Sequence, residues 1–124
     1  MLAALGILPL LIAIAPSSLA LVLTILVEAP IIYACFGRLD RRRAIMACCF
    51  VNAVTQPLLY LALPHLPFIG PAQWWLSFAG AEGGVWLAEA LLYRACLGCP
   101  VARALGASLA ANAASAGLGL LLPV

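Results

Sequence analysis

Four long apolar stretches, separated by short polar or proline-rich breaks, set the pattern of this chain. The first ends at Phe36 and is followed by the basic run from Gly37 to Arg43. The second runs from about Ala44 to Leu63 and stops at Pro64-His65-Leu66-Pro67. The third runs from about Trp74 to Tyr93 and the fourth from about Val101 to Leu122. A helix needs about 20 apolar residues to cross a bilayer, so each stretch is long enough to span. These lengths and the Ala/Leu richness predict helices, and no barrel-type alternation is visible. The expected fold is an all-α membrane protein of four transmembrane helices. They would form two parallel tandem helical-hairpin repeats with an extra apolar N-terminal segment. The expected division is 1–16 for that segment, 17–63 for the first hairpin, 64–73 for an outer loop and 74–124 for the second hairpin.

The N-terminus is longer than one span needs. Residues 5–36 form a single apolar run, roughly 48 Å if wholly helical, against a hydrocarbon core of about 30 Å. Pro16-Ser17-Ser18 interrupts it. A spanning helix is therefore expected from about Ser17, preceded by an interfacial or partly inserted segment, Leu2–Ala15. A cleaved signal peptide is disfavoured, since no positively charged region opens the chain.

Composition agrees with the pattern. The 124 residues are 67% hydrophobic and 8% charged, with mean hydropathy +1.19, whereas a soluble domain is about half apolar and a quarter charged. So few polar side chains cannot cover a water-soluble surface. That excludes a soluble enzyme, a nucleic-acid-binding module and a disordered chain. All six basic residues are arginines: Arg38, Arg41, Arg42, Arg43, Arg94 and Arg103. The lack of Lys beside heavy Ala and Leu usage suggests a high-GC bacterial genome. With four spans, every arginine falls on one side, which the positive-inside rule makes cytoplasmic. Both termini and the loop from Pro64 to Gln73 then lie outside, with Trp74 and Trp75 at the outer interface. The expected location is the bacterial inner membrane.

The chain also repeats itself. Leu26 to Gly37 aligns with Leu87 to Gly98 at an offset of 61, with Leu, Glu, Ala, Ala, Cys and Gly recurring in order. At an offset of 60, Arg43-Ala44 matches Arg103-Ala104 and Asn52-Ala53 matches Asn112-Ala113. Thr55 answers Ser115, and Cys48 answers Ser108. Chance alignment of Ala/Leu-rich helices does not explain why the rare residues recur in the same order. Duplication of a hairpin does, giving parallel repeats about an axis along the membrane normal.

The rare polar residues fall at similar depth. Glu28 lies eight residues before Phe36, Asn52 and Asn112 nine after Arg43 and Arg103, and Glu89 five before Arg94. At 1.5 Å per residue these positions are roughly 8–14 Å from the inner ends, one on each helix. A charge at bilayer depth costs roughly 2.5–3.5 kcal/mol, so it should face the bundle and mark function. Carboxylates bind a cation or hold a proton, and carboxamides donate and accept. Glu28, Asn52, Glu89 and Asn112 are therefore the primary substrate- or ion-binding candidates. Thr55, Gln56, Glu82, Ser108 and Ser115 are second choices. Cys48, Asn52, Thr55 and Gln56 share one face of the second helix, Ser108, Asn112 and Ser115 repeat it on the fourth, and Glu82 shares the stripe of Glu89. The competing reading is adhesion: buried Asn, Ser and Thr often just bond neighbouring helices, at about 0.6 kcal/mol each. Adhesion does not need an ionisable group, so it fits the glutamates less well. The small residues Gly80 and Gly84, and the series Ala107, Ala111, Ser115 and Gly119, suit close packing within the bundle or in a dimer. His65, alone between prolines, reads as a loop residue.

Five cysteines, Cys35, Cys48, Cys49, Cys96 and Cys99, lie in or near the cytoplasmic half, where thiols stay reduced. An odd count argues against a disulfide framework. Cys96-Leu97-Gly98-Cys99 has redox-motif spacing and Cys48-Cys49 is a vicinal pair suited to soft metals. Cys48, Cys49, Cys96 and Cys99 are thus weak metal candidates, set against the commoner role of Cys as a small apolar residue. No cofactor is implied.

Glu28-Ala29-Pro30, Asn52-x-x-Thr55-x-Pro57, Glu89-Ala90-Leu91-Leu92-Tyr93 and Ser108-x-x-x-Asn112-x-x-Ser115-x-Gly117 together resemble a group of small four-helix bacterial inner-membrane proteins of uncharacterised role. The resemblance spans most of residues 20–120, on short motifs. It implies a fold and a location and transfers no activity. Mercury-transport membrane proteins are similar only in the Cys48-Cys49 pair, and small multidrug exporters only in size and a first-helix Glu. The leading expectation is a small transporter or channel for a cation or cationic solute, working in the bilayer alone or as a homodimer. The alternative is a non-catalytic subunit or assembly factor of a larger membrane complex. An intramembrane enzyme or thiol redox protein comes third, since no nucleophile–base arrangement is visible.

Overall fold

A computed structural model describes residues 2–36, 40–62, 65 and 70–121, with the backbone alone for residues 2–17, Tyr60, Trp74 and Leu120. Its elements are four helices: α1 (Leu2–Phe36), α2 (Arg41–Ala62), α3 (Pro71–Leu97) and α4 (Val101–Leu121). No strand occurs among the described residues. Arg38, Pro64, Leu66, Pro67 and the side chain of Trp74 lie outside them.

Local chemistry explains the helix ends. Ahead of α2, the Asp40 carboxylate accepts the Arg42 N–H at 3.0 Å, and its carbonyl accepts the Ala44 N–H at 3.0 Å. That is the N-cap arrangement that satisfies an otherwise orphaned donor. α3 begins with a proline directly after Gly70, whose φ of 100° favours glycine. Pro at the first helical position loses only an N–H that had no partner there. At its other end Gly98 takes a left-handed conformation (φ 62°, ψ 29°) and donates its N–H to the Arg94 carbonyl at 2.9 Å. This closes the last turn and frees the chain to reverse into α4. Arg43, from the start of α2, donates to the Cys96 carbonyl at 3.1 Å, satisfying one of the open carbonyls that end α3. Arg41 lies over the Tyr33 ring at 5.3 Å, joining the same end of α2 to α1.

Two boundaries differ from the sequence reading. α1 runs unbroken through Pro16-Ser17-Ser18, with no break between an N-terminal segment and a spanning helix. An interior proline removes one helical hydrogen bond, and the backbone on both sides of it is helical. α3 starts at Pro71, so the last three residues assigned to the 64–73 loop belong to the helix.

The helices form a ring in which each packs on two neighbours: α1 on α2, α2 on α3, α3 on α4 and α4 on α1. The short connections make neighbours antiparallel, so α1 and α3 face each other across the ring, as do α2 and α4. The tightest packing lies toward the arginine-bearing end. There Phe36 of α1 and Tyr93 of α3 meet across the centre, rings stacked at 6.3 Å, with Ile32, Val51 and Leu97 buried beside them. The outside is apolar as well: Leu26, Phe50, Leu61, Leu76 and Leu91 are all exposed. Among the described residues, Ser18–Phe36 is the one helical stretch long and apolar enough to cross a membrane, with mean hydropathy 2.3. α2 and α3 hold arginines, Asn52, Gln56, Glu82 and Glu89 among their apolar residues.

Candidate functional site

The two intramembrane-candidate glutamates converge in the middle of the ring, each 1% exposed. Glu28 on α1 accepts two hydrogen bonds. Asn52 Nδ2 of α2 donates to its Oε2 at 2.9 Å, and Ser115 Oγ of α4 donates to its Oε1 at 2.7 Å. Glu89 on α3 is held in the same way. Asn112 Nδ2 of α4 donates to its Oε2, and Thr55 Oγ1 of α2 donates to its Oε1 at 2.7 Å. Every carboxylate oxygen thus meets one donor. All the donors are neutral, and no arginine bonds either carboxylate among the described residues.

The two clusters correspond residue by residue at the offsets of 60 and 61 found in the sequence: Glu28 with Glu89, Asn52 with Asn112, and Thr55 with Ser115. Each Glu takes its Asn from its own hairpin and its hydroxyl from the other. The ring arrangement makes this possible, because α1 touches α4 as well as α2, and α3 touches α2 as well as α4. The correspondence extends one turn further. Asn52 Nδ2 also donates to the Cys48 carbonyl at 3.0 Å, and Asn112 Nδ2 to the Ser108 carbonyl at 2.9 Å. Both hydrogens of each amide are therefore engaged, which fixes which end of each carboxamide faces its glutamate.

Around this layer the halves diverge. Cys48 is buried with its thiol 3.6 Å from Asn52 Nδ2. Its counterpart Ser108 touches neither glutamate and donates to the Trp86 carbonyl at 3.0 Å. The Trp86 indole N–H in turn reaches the Leu105 carbonyl at 2.8 Å, stitching α3 to α4. Among the described residues, two fully buried polar atoms lack a hydrogen bond of good geometry: Asn52 Oδ1 and the Tyr93 hydroxyl, which lies beside the Cys48 thiol. The sequence does not single out Tyr93 as a site residue; it closes the third apolar stretch and the Glu89-Ala90-Leu91-Leu92-Tyr93 motif. Its spacing of four from Glu89 places it on the same helix face, which was the available signal.

The remaining candidates stand apart. Gln56 is half-buried and bonds to neither carboxylate; Glu82 is half-buried, close enough to Glu28 for their charges to interact. Cys49 and Cys96 are half-buried, Cys35 is exposed, and Cys99 is buried with its thiol 3.9 Å from the Tyr93 carbonyl; all five cysteines are free. Among the described residues no three His, Cys, Asp or Glu side chains gather closely enough to hold a metal ion. His65 is exposed. Of the small residues, Ala107 and Ala111 are buried in the bundle, whereas a Cβ added at Gly80, Gly84 or Gly119 would meet nothing within 4 Å. Those glycines are not used for close packing inside this chain.

None of the family models, curated proteins or solved structures compared with this chain matches it.

Proposed function

We propose that this chain is a four-span protein of the bacterial inner membrane that moves a cation or cationic solute through its centre. Glu28 and Glu89 receive the charge, and Asn52, Asn112, Thr55 and Ser115 position them. The observation that supports this most is the pair of fully buried carboxylates with no basic partner among the described residues. A group built only to hold helices together would do as well with a neutral amide, and would avoid the cost of an ionisable group at bilayer depth. A positive species entering between the glutamates supplies the missing countercharge.

The apolar outer surface supports the membrane setting. Exposed Arg41, Arg42, Arg43, Arg94 and Arg103 all belong to one end of the ring, which the positive-inside rule assigns to the cytoplasm. Hydrogen bonding matched position by position supports descent from a duplicated hairpin. In such parallel repeats, transport proceeds by rocking one hairpin against the other. The bonds that resist this are the two that cross between hairpins, Ser115 to Glu28 and Thr55 to Glu89, and an arriving cation competes for both acceptors.

The test is the full chain reconstituted in liposomes, with uptake of protons, Na⁺, K⁺, Mg²⁺ and a tetraalkylammonium ion measured for the native protein and for Glu28→Gln/Glu89→Gln. Loss of at least one flux in the double variant is expected. Identical uptake for every ion would end the proposal. A second reading, a subunit of a larger complex, is favoured by one observation: the Gly80/Gly84 face is open, with room for another helix. A stoichiometric partner retained through native purification supports it, whereas a lone homo-oligomer opposes it.

A further inference from the structure

Resting on that transport reading, we infer that the cation is the proton, and that the Ser115 and Thr55 hydroxyls hold Glu28 and Glu89 in both the charged and the neutral state. The argument is one of counting hydrogens. Each amide spends its two hydrogens on a carboxylate and on its own helix's carbonyl. Turning an amide over would set its oxygen against the carbonyl of Cys48 or Ser108, acceptor against acceptor. A metal ion arriving at the carboxylates therefore competes with an amide hydrogen on Oε2 of each glutamate, and the amides cannot turn their oxygens to join it, where hard cations gather several oxygen ligands.

The hydroxyls behave differently. Each has one hydrogen and two acceptors within reach. Ser115 Oγ lies 2.7 Å from Glu28 Oε1 and 3.2 Å from the Asn112 carbonyl. Thr55 Oγ1 lies 2.7 Å from Glu89 Oε1 and 3.0 Å from the Val51 carbonyl. With the carboxylate charged, the hydroxyl hydrogen points to it. When a proton adds to a lone pair of Oε1, the new carboxylic O–H donates to the hydroxyl oxygen. The hydroxyl hydrogen then swings to the main-chain carbonyl. The bond broken is an O–H of the hydronium that delivers the proton, which leaves as water; no bond of the protein breaks, release is the reverse, and no heavy atom of the protein has to move. An amide nitrogen cannot make this exchange, having no acceptor capacity. The proton therefore resides on Oε1 of either glutamate.

The surrounding charges suit the same cargo. The ionisable groups bearing on Glu28 are Cys48 of α2 and Glu82, Glu89 and Tyr93 of α3; Glu28, Glu82 and Tyr93 bear on Glu89. None is a cation. The one charged residue of α4, Arg103, is exposed near its start.

The experiment uses the full chain in liposomes carrying a trapped pH dye, driven by a potassium diffusion potential, with infrared difference spectra recorded on a pH step. Three variants are compared with the native chain: Thr55→Val/Ser115→Ala, which deletes the hydroxyls at similar shape, Thr55→Ser/Ser115→Thr, which keeps them, and Glu28→Gln/Glu89→Gln. Native protein should carry protons and show a carboxylic C=O band on acidification that the double Gln variant lacks. Deleting the hydroxyls should shift that band to higher frequency and slow proton release by about tenfold, because the charged carboxylate loses a stronger hydrogen bond than the neutral acid does. The variant that keeps them should do neither. Glutamate-dependent uptake of a metal or organic cation without proton movement overturns the proton assignment and leaves the transport reading standing. A band unmoved by loss of both hydroxyls overturns their holding role and also leaves the transport reading standing. If no flux depends on the glutamates, the transport reading itself falls and this inference falls with it.

Discussion

The two bonds that cross between the hairpins can be weighed separately from the rest of the fold by double-mutant cycles. Ser115→Ala is combined with Glu28→Met, and Thr55→Val with Glu89→Met. Met keeps the length of Glu without its acceptors, so the cycle isolates the pair from the other bonds each glutamate makes. A bond to a charged group is worth about 1.5–3 kcal/mol in soluble proteins. Side-chain bonds between membrane helices average about 0.6 and reach about 1.7 kcal/mol. Here the geometry is short, 2.7 Å in each case, but each hydroxyl has a main-chain carbonyl to fall back on. The expected coupling is about 1 kcal/mol per pair, the two cycles agreeing within about 0.5 kcal/mol. Reversible unfolding in mixed micelles, followed by tryptophan fluorescence, gives the measurement. Trp86 is a suitable reporter because its N–H bond to Leu105 ties α3 to α4. Ser115→Ala with Gly98→Ala, at a distant turn, should be additive. Coupling below about 0.3 kcal/mol in either cycle, or a clear inequality between them, refutes the reciprocal arrangement.

Tyr93→Phe removes a buried hydroxyl that has only the weakly bonding Cys48 thiol beside it among the described residues, while keeping the ring against Phe36, and should stabilise the fold by about 1 kcal/mol, raising Tm by a few degrees. A lower Tm would mean that the hydroxyl has a partner after all. Gly98→Ala should cost about 1 kcal/mol through its left-handed backbone alone, since the added Cβ has open space; unchanged stability counts against that turn. For orientation, a cysteine-less chain with Asp40→Cys or His65→Cys can be treated with a membrane-impermeant maleimide on intact cells. Only the His65→Cys chain should label, and the opposite pattern reverses the assigned topology.

The glutamate layer was legible because an apolar chain makes its few polar residues conspicuous. Glu28, Glu89, Asn52 and Asn112 stand out by type, by depth and by recurrence, and the hydrogen bonds join them. What spacing along a helix cannot supply is the partner across the ring. It puts Ser115 and Thr55 on the right faces, but not against the glutamate of the other hairpin. Ser108 shows the same limit, since it shares a face with Asn112 yet turns to the Trp86 carbonyl. Tyr93 carries no such mark in the sequence, because nothing in its spacing says that its ring fills the centre between α1 and α3. Pro16 shows the opposite limit: a strong local breaker sits inside a continuous helix.

The reciprocal bonding also imposes an order on biosynthesis. When the first hairpin leaves the ribosome, Glu28 already has Asn52 beside it, but its second donor, Ser115, lies 87 residues further along the chain. Thr55, for its part, waits on a glutamate that has not yet been made. The first hairpin must hold an acid half satisfied until the last helix arrives. A chain cut short before Ser115 never completes that acid. The molecule thereby carries an internal mark that separates a finished chain from a truncated one.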